Sequence, residues 1–333
     1  MKNNKTMRDV ADLAQVSKTT VSRYINGHTE RMSAKTQQKI EETILAIGYR
    51  VNSHAQSLAQ KRTFLIGMVV ADMTNMFSSL LFNGADEIAH DKNYQIILMT
   101  SSNSINREEQ QINKLLDMRV DGIILQPINK DATQYNYLKS NGTHTIIVDR
   151  SIKPSIWPEV LTDNYKYSHI MTEYIYRKGY KKILVISEQV DDNNSRITRI
   201  KAAQDVALKQ NIDFDIIEMH HDMKDSDIYD LLMEKTNLLQ DKVAIYVIKG
   251  DLLLKIVKIL ISFDISFPEQ LGIAAFDDWV ISELINPPIT TIRQDATTMG
   301  KVAVSNLIEM IEHDIYPQQQ TNISSELIIK RSL

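Results

Sequence analysis

The sequence predicts an all-α helix-turn-helix head joined to a two-lobed α/β body built on parallel sheets. Three observations carry this. Residues 1–62 contain three short helical patterns separated by turn residues. From Phe64 onward, apolar strand-like runs alternate with helical patterns over about 270 residues, more than one doubly wound unit usually holds. The charge divides at the same place. Residues 1–62 carry eleven Lys/Arg against five Asp/Glu, and the remainder 27 against 37, within an overall net charge of −4. A basic head on an acidic body points to an anionic partner for the head, with nucleic acid the first candidate and a merely solvated helical surface the plain alternative.

The first helical pattern runs from Met7 to Ala14. Thr6 stands at its N-cap position with Asp9 three residues on, as in a capping box, and Val10, Ala11 and Ala14 make one apolar face. After the break at residues 15–17, Ser17 can cap a second helix, Lys18 to Ile25. In it Val21, Tyr24 and Ile25 point inward, and Lys18, Thr19, Ser22 and Arg23 point out. Asn26 and Gly27 stop it, because both tolerate left-handed dihedrals. Ser33 caps a third helix, Ala34 to Ile47, whose core stripe is expected to be Ile40, Ile44, Leu45 and Ile47. Two short helices around a three-residue turn suit the major groove, which admits one helix whose first residues meet base edges. A generic three-helix bundle is the alternative.

Residues 52–62 are polar, with Leu58 the one large apolar side chain. So short a segment does not hold a helix alone in water, so it reads as a linker that orders on binding.

In the body, strand-like runs fall at Leu65–Ala71, Gln95–Met99, Gly122–Leu125, Thr145–Val148, Ile183–Ile186, Phe214–Met219, Ala244–Ile248, Gly272–Ala275 and Leu327–Ile329. Ligands of open α/β sheets sit at the carboxyl ends of strands. The residues just after these runs include Asp72, Gln126, Asp149, Lys249 and Asp277, all polar, and a cleft between two lobes would gather them.

Several classes are excluded. No cysteine means no disulfide, thiolate zinc site or cysteine nucleophile. The longest clean apolar run, Leu65–Ala71, is far short of the ~20 residues of a membrane span. The first ten residues are polar and lack a signal-peptide pattern, so a cytoplasmic location is expected. No phosphate loop or Gly-x-Gly-x-x-Gly is present, and His220 and His221, being adjacent, point apart. No enzyme, metal site or cofactor is expected.

The stretch Thr6–Gly27, with Asp9, Val10, Ala11, Ala14, Val16, Ser17, Thr20, Val21, Ser22, Arg23 and Asn26 in order, resembles the head of the LacI/GalR repressors. Met32, Ser33 and Thr36, then Ile47, Gly48, Tyr49 and Asn52, continue the pattern. The resemblance implies DNA contacts by Thr6, Ser17, Lys18, Thr19, Thr20, Ser22, Arg23, Asn26, Ser33, Tyr49 and Asn52. Ser17, Thr20, Ser22, Asn26, Ser33 and Asn52 would mainly hold phosphates, and Lys18, Thr19 and Arg23 would face bases. Asn52, Ala55 and Leu58 match the family hinge, whose leucines wedge a base step open in the minor groove; a staple onto the body is the other role open to Leu58. Departures are Gln15 for a usual glycine, Val51 for a proline and Gln56 for an arginine.

The body resembles the periplasmic-binding-protein-like effector domain of the same repressors. The carriers are Ile66–Phe77, Val120–Ile124, Asp149 with Arg150, Thr162–Asn164, Arg177–Ile183, Phe276–Asp278, Pro287–Asp295, and Met299 with Gly300. By this resemblance Phe77, Gln126, Asp149, Arg199, Lys249, Asp277 and Gln294 would bind an effector between the lobes. Carboxylates suit sugar hydroxyls, and Arg199 with Lys249 would suit an anionic ligand such as a sugar acid. Lys249 could instead pair with Asp277 or leave the cleft. The stretch Phe276–Trp279 also resembles ketodeoxygluconate-type repressors.

The expectation is therefore a repressor of carbohydrate catabolism genes, a homodimer that reads a palindromic operator in double-stranded DNA and answers to a sugar-like effector. A phosphoprotein corepressor on the body stays open. The expected divisions are a head at 1–51, a hinge helix at 52–62 and a body at 63–333. Within the body one lobe takes 63–161 with 293–320, the other 162–292 with 321–333. A solute-binding protein would lack the basic head. An architectural DNA binder would not need polar strand ends.

Overall fold

The computed structural model describes residues 5–25, 27–49, 62–189, 193–220, 222–236, 242–277 and 281–333. Two compact units are present, Met1–Thr63 and Phe64–Leu333.

In the first unit the helices are α1 (Met7–Ala14), α2 (Lys18–Ile25) and α3 (Ala34–Ile47). Thr6 and Asp9 complete a capping box at α1. The Ser17 hydroxyl accepts from the Thr20 amide (3.1 Å), and Ser33 caps α3 by accepting from Thr36 (3.2 Å). Gln15 ends α1 in the left-handed conformation that glycine adopts without strain, at φ 51°, and accepts from Lys39 Nζ at 3.1 Å. Val10, Ala11, Ala14, Val21, Ile40 and Tyr49 form the core. Leu45 is not in it. One residue past Ile44, it faces outward and is 75% exposed.

Among the described residues the second unit holds twelve strands: β1 (Leu65–Val70), β2 (Gln95–Thr100), β3 (Gly122–Leu125), β4 (His144–Val148), β5 (Glu159–Thr162), β6 (Lys182–Glu188), β7 (Asp213–Met219), β8 (Val243–Val247), β9 (Gly272–Phe276), β10 (Thr290–Gln294), β11 (Gln320–Ile323) and β12 (Ser325–Ile328). Its helices are α4 (Met76–Asp91), α5 (Ile105–Asp117), α6 (Asn136–Asn141), α7 (Asn164–Arg177), α8 (Asn194–Gln210), α9 (Asp225–Thr236), α10 (Gly250–Ser262), α11 (Ile281–Leu284) and α12 (Ala296–His313).

Two six-stranded sheets result, ordered β11-β5-β4-β3-β1-β2 and β12-β10-β9-β8-β6-β7. Every pairing is parallel except that of the edge strand β12 with β10. β3, β8 and β9 are buried along their whole length, as parallel strands covered on both faces must be.

The chain crosses between lobes after β5, after β10 and between β11 and β12. These crossings lie one to three residues beyond the expected ones, because β5, β10 and β11 each continue to their own last paired residue. Order reverses between β1 and β3 in the first sheet and between β6 and β8 in the second.

Helices α4 and α12 cross at contact distance over the first sheet. A Cβ added to Gly84 would lie 2.0 Å from the Thr297 carbonyl oxygen, and one added to Gly300 would lie 2.1 Å from that of Leu81. Both obstacles are backbone and cannot swing aside. Gly84→Ala should therefore force the helices apart and cost about 1–3 kcal/mol. Chemical denaturation of variant against parent checks this; an unchanged midpoint would show that the crossing yields.

Candidate functional site

In the head, α2 buries Val21 and turns Lys18, Thr19 and Arg23 to solvent, with Thr20 and Ser22 half-buried. The first turn of α2 is preorganised: beyond the cap, the Ser17 and Thr20 hydroxyls meet at 2.8 Å. Tyr49 is 9% exposed in the head core, and burial pushes its phenol upward, so its ring fills space between helices. Asn26, Asn52, Ala55 and Leu58 lie outside the described residues.

In the body, both reversal points put polar side chains in contact. At the first, the Ala71 amide donates to Gln126 Oε1 (2.8 Å), and Gln126 Nε2 donates to Asp149 Oδ2 (2.7 Å). At the second, Lys249 Nζ reaches Glu188 Oε1 (2.8 Å). Asp149 and Asp277 close β4 and β9 with left-handed backbones, φ 65° and 81°. Strained dihedrals at a strand end are where functional residues collect.

Arg199 is 5% exposed. Nε donates to Asn164 Oδ1 and Nη1 to the Ile248 carbonyl, both at 2.8 Å, while the guanidinium lies 3.6 Å from the Phe276 ring centre. Asp277 accepts from Gln294 Nε2 and from the Gly250 amide (3.4 Å). Burial pushes its carboxyl upward; Arg199 and Gln294 oppose this, and the charge of Asp149 adds to it. Gln294 Oε1 is a buried acceptor without a partner. Gln126 and Asp149 thus approach from the first lobe, and Arg199, Asp277 and Gln294 from the second.

Two expected residues are placed differently. Phe77, at the start of α4, is 3% exposed in the first lobe's apolar core with Val70, Leu81 and Ile124. Lys249 does not pair with Asp277. It bridges Glu188 and Asp251 (3.2 Å). Asp72 accepts from Thr74 and serves its own turn.

The sequence reading missed Glu188, Arg196 and the cleft-facing role of Arg150. A cleft of about 1320 Å³ opens at the carboxyl ends of the sheets. Asn103, Ser104, Asn106, Ile128 and Arg150 line it from the first lobe, and Glu188, Asn193, Arg196, His220 and Lys255 from the second. Burial works against the Glu188 charge, but Arg196 and Lys249 together hold its carboxyl below the ordinary range. Drawing β6 to its true end at Glu188, two residues past the apolar run, would have found it. Hydrogen bonds join the lobes beside this cleft: Ser195 Oγ donates to the Asp149 carbonyl (3.0 Å), and Asn194 Nδ2 to that of Ser151 (3.1 Å). Among the described residues no cluster of three His, Asp or Glu is placed to hold a metal, and no helix is long and apolar enough to cross a membrane.

Glu108 supports the cleft wall from behind. It is 2% exposed and accepts from the Ile128 amide and the Tyr135 hydroxyl, both at 2.8 Å. Burial raises its carboxyl to about 7 against those bonds. The folded chain therefore keeps a proton that the unfolded chain releases near 4.5, and the stability this gives below that pH is lost as pH rises through about 7. Thermal melts from pH 5 to 8 should show the parent losing stability relative to Glu108→Gln as pH rises, with the difference constant above pH 8. A pH-independent difference would refute the assignment.

The family model described as bacterial regulatory proteins, lacI family, matches residues 6–52, and that of the periplasmic binding protein-like domain matches residues 172–333. The HTH-type transcriptional regulator KdgR of Bacillus subtilis is 32% identical over 98% of this chain and 97% of its own. Two solved structures share the fold. The Lac repressor dimer bound to operator and an anti-inducer has a TM-score of 0.82 at 20% identity, over 99% of each chain. The regulator CelR in complex with cellobiose has 0.70 at 21%, over 98% of this chain and 99% of that one.

Proposed function

Because the chain belongs to the LacI family of bacterial regulatory proteins, DNA-binding transcription regulators that are not enzymes, we propose that it is a repressor of carbohydrate catabolism genes that binds a palindromic operator as a homodimer and is controlled by a sugar-like effector held between its lobes. The observation that carries the DNA half is α2. Its first turn is fixed by Ser17, and its exposed face is Lys18, Thr19 and Arg23. Such a helix reads the major groove while neighbouring hydroxyls and amides hold phosphates. Two copies related by a two-fold axis read two half-sites, as befits a fold shared with a repressor dimer seen on its operator.

The effector half rests on the paired carboxylates. The charge of Asp149 in the first lobe is felt at Asp277 in the second, and Gln294 Oε1 still needs a donor. Sugar hydroxyls supply donors in that number, and a neighbour of the same fold holds cellobiose. Effector binding shifts the population between body states that hold the two hinges of a dimer differently. It does so only through different affinities for those states, and a coupling of roughly 1–3 kcal/mol changes operator affinity about 5- to 150-fold. A sugar acid is the favoured class.

Selection from random duplexes should return a two-fold symmetric site. Arg23→Ala should weaken binding to it by about 5- to 150-fold while sparing non-specific DNA, since it removes base readout. A thermal-shift screen against sugars, sugar acids and purines should give a hit that also alters operator affinity. An asymmetric selected site, or equal losses on every DNA, would sink the recognition assignment. Ligands that bind without moving operator affinity would sink the effector assignment.

A further inference from the structure

Of the cations first expected to hold an anionic effector, Lys249 is paired with Glu188 and Asp251, and Arg199 gives Nε and Nη1 to Asn164 and Ile248 beside the Phe276 ring. Another pair stands at the cleft. Arg150 comes from the loop after β4 and Arg196 from the first turn of α8, one from each lobe, and both line the 1320 Å³ space.

Arg150 is poorly served by its own surroundings. Its nearest carboxylate oxygen, Asp149 Oδ2, is 3.7 Å from Nε, beyond hydrogen-bond distance, and that oxygen already accepts from Gln126. Arg150 Nε is a buried donor without a partner, and Nη1 has only a long bond of 3.4 Å to the Pro127 carbonyl. A buried guanidinium donor left unmatched costs more than most polar groups, and such groups call for an explanation. Across the cleft Arg196 bonds to Glu188 Oε2, and its Nη1 to the Gln189 carbonyl (2.9 Å). Glu188 is shared, with Lys249 on its other oxygen.

Resting on the effector reading above, we infer that Arg150 and Arg196 bind the acid group of an anionic sugar derivative across the two lobes, with Glu188 the internal carboxylate that this group competes against. A carboxylate between two guanidiniums accepts forked hydrogen bonds from both. It would satisfy Arg150 Nε and relieve the repulsion between two facing cations. Glu188 could then stay on Lys249 alone. Because the arginines belong to different lobes, one acid group holds the lobes together, whereas a neutral sugar can only meet the carboxylates and amides deeper in.

The test uses the full-length protein and calorimetric titration with D-gluconate, D-glucuronate, D-galacturonate and 2-keto-3-deoxygluconate, beside D-glucose and D-galactose. At least one acid should bind and the neutral sugars should not. Arg196→Ala should weaken that acid by about 10- to 100-fold, the loss expected for charge-assisted bonds. Glu188→Gln should strengthen it several-fold, and this second variant decides the matter if the first does not fold. The inference is overturned if no acid binds, if the acid binds Arg196→Ala as well as the parent, or if Glu188→Gln binds it no better. A neutral sugar that binds and releases operator would overturn it too, while leaving the effector-controlled repressor intact.

Discussion

The middle strands of a parallel sheet covered on both faces are poor places for a charge. β3, β8 and β9 show the constraint directly, since every residue in them is buried and none is charged. Polar chemistry is pushed to the strand ends, and the reversal of strand order decides which ends meet. That is why Gln126 finds the Ala71 amide in one lobe, and Glu188 finds Lys249 in the other. The site is thus a by-product of topology before it is a set of side chains.

Once charges gather there, desolvation sorts them. Arg199 is held by a carbonyl, an amide oxygen and an aromatic face, none of them charged, so its charge remains to act on Asp277. Asp277 is buried deeply enough that its carboxyl titrates upward despite Arg199. Glu188, nearer the opening and flanked by two cations, is held downward. Two carboxylates at the carboxyl ends of strands in one sheet therefore lean in opposite directions: one toward sharing a proton or a hydroxyl, the other toward full charge.

Much of this was legible in the chain. The three head helices begin and end where Thr6, Ser17, Ser33, Gln15 and Gly48 say they should, because capping is local chemistry. The apolar runs of the body marked the strands with long buried cores. The strands β5, β10 and β11 were not legible. They are short and carry Thr, Glu, Gln or Asn, so pairing with a neighbour holds them rather than an apolar run. Leu45 and Phe77 misled in opposite senses. A leucine beside a helical stripe lies outside it, and an aromatic two residues past the Asn75 cap turned into the core. Glu188 was hidden because its strand runs two residues beyond its apolar part. Departures from the family pattern also gained a meaning: Gln15 takes the left-handed dihedral that its usual glycine would.

The three crossings between lobes have a mechanical consequence. One strap of chain would let the lobes swivel, slide and twist, and a ligand would have to fix each of those freedoms. Three straps, following β5 and β10 and between β11 and β12, each fix another pair of points between the lobes and so restrain sliding and twisting more than one strap would. A ligand in the cleft then has fewer freedoms left to fix. A break in any one strap still leaves the lobes tethered by the other two.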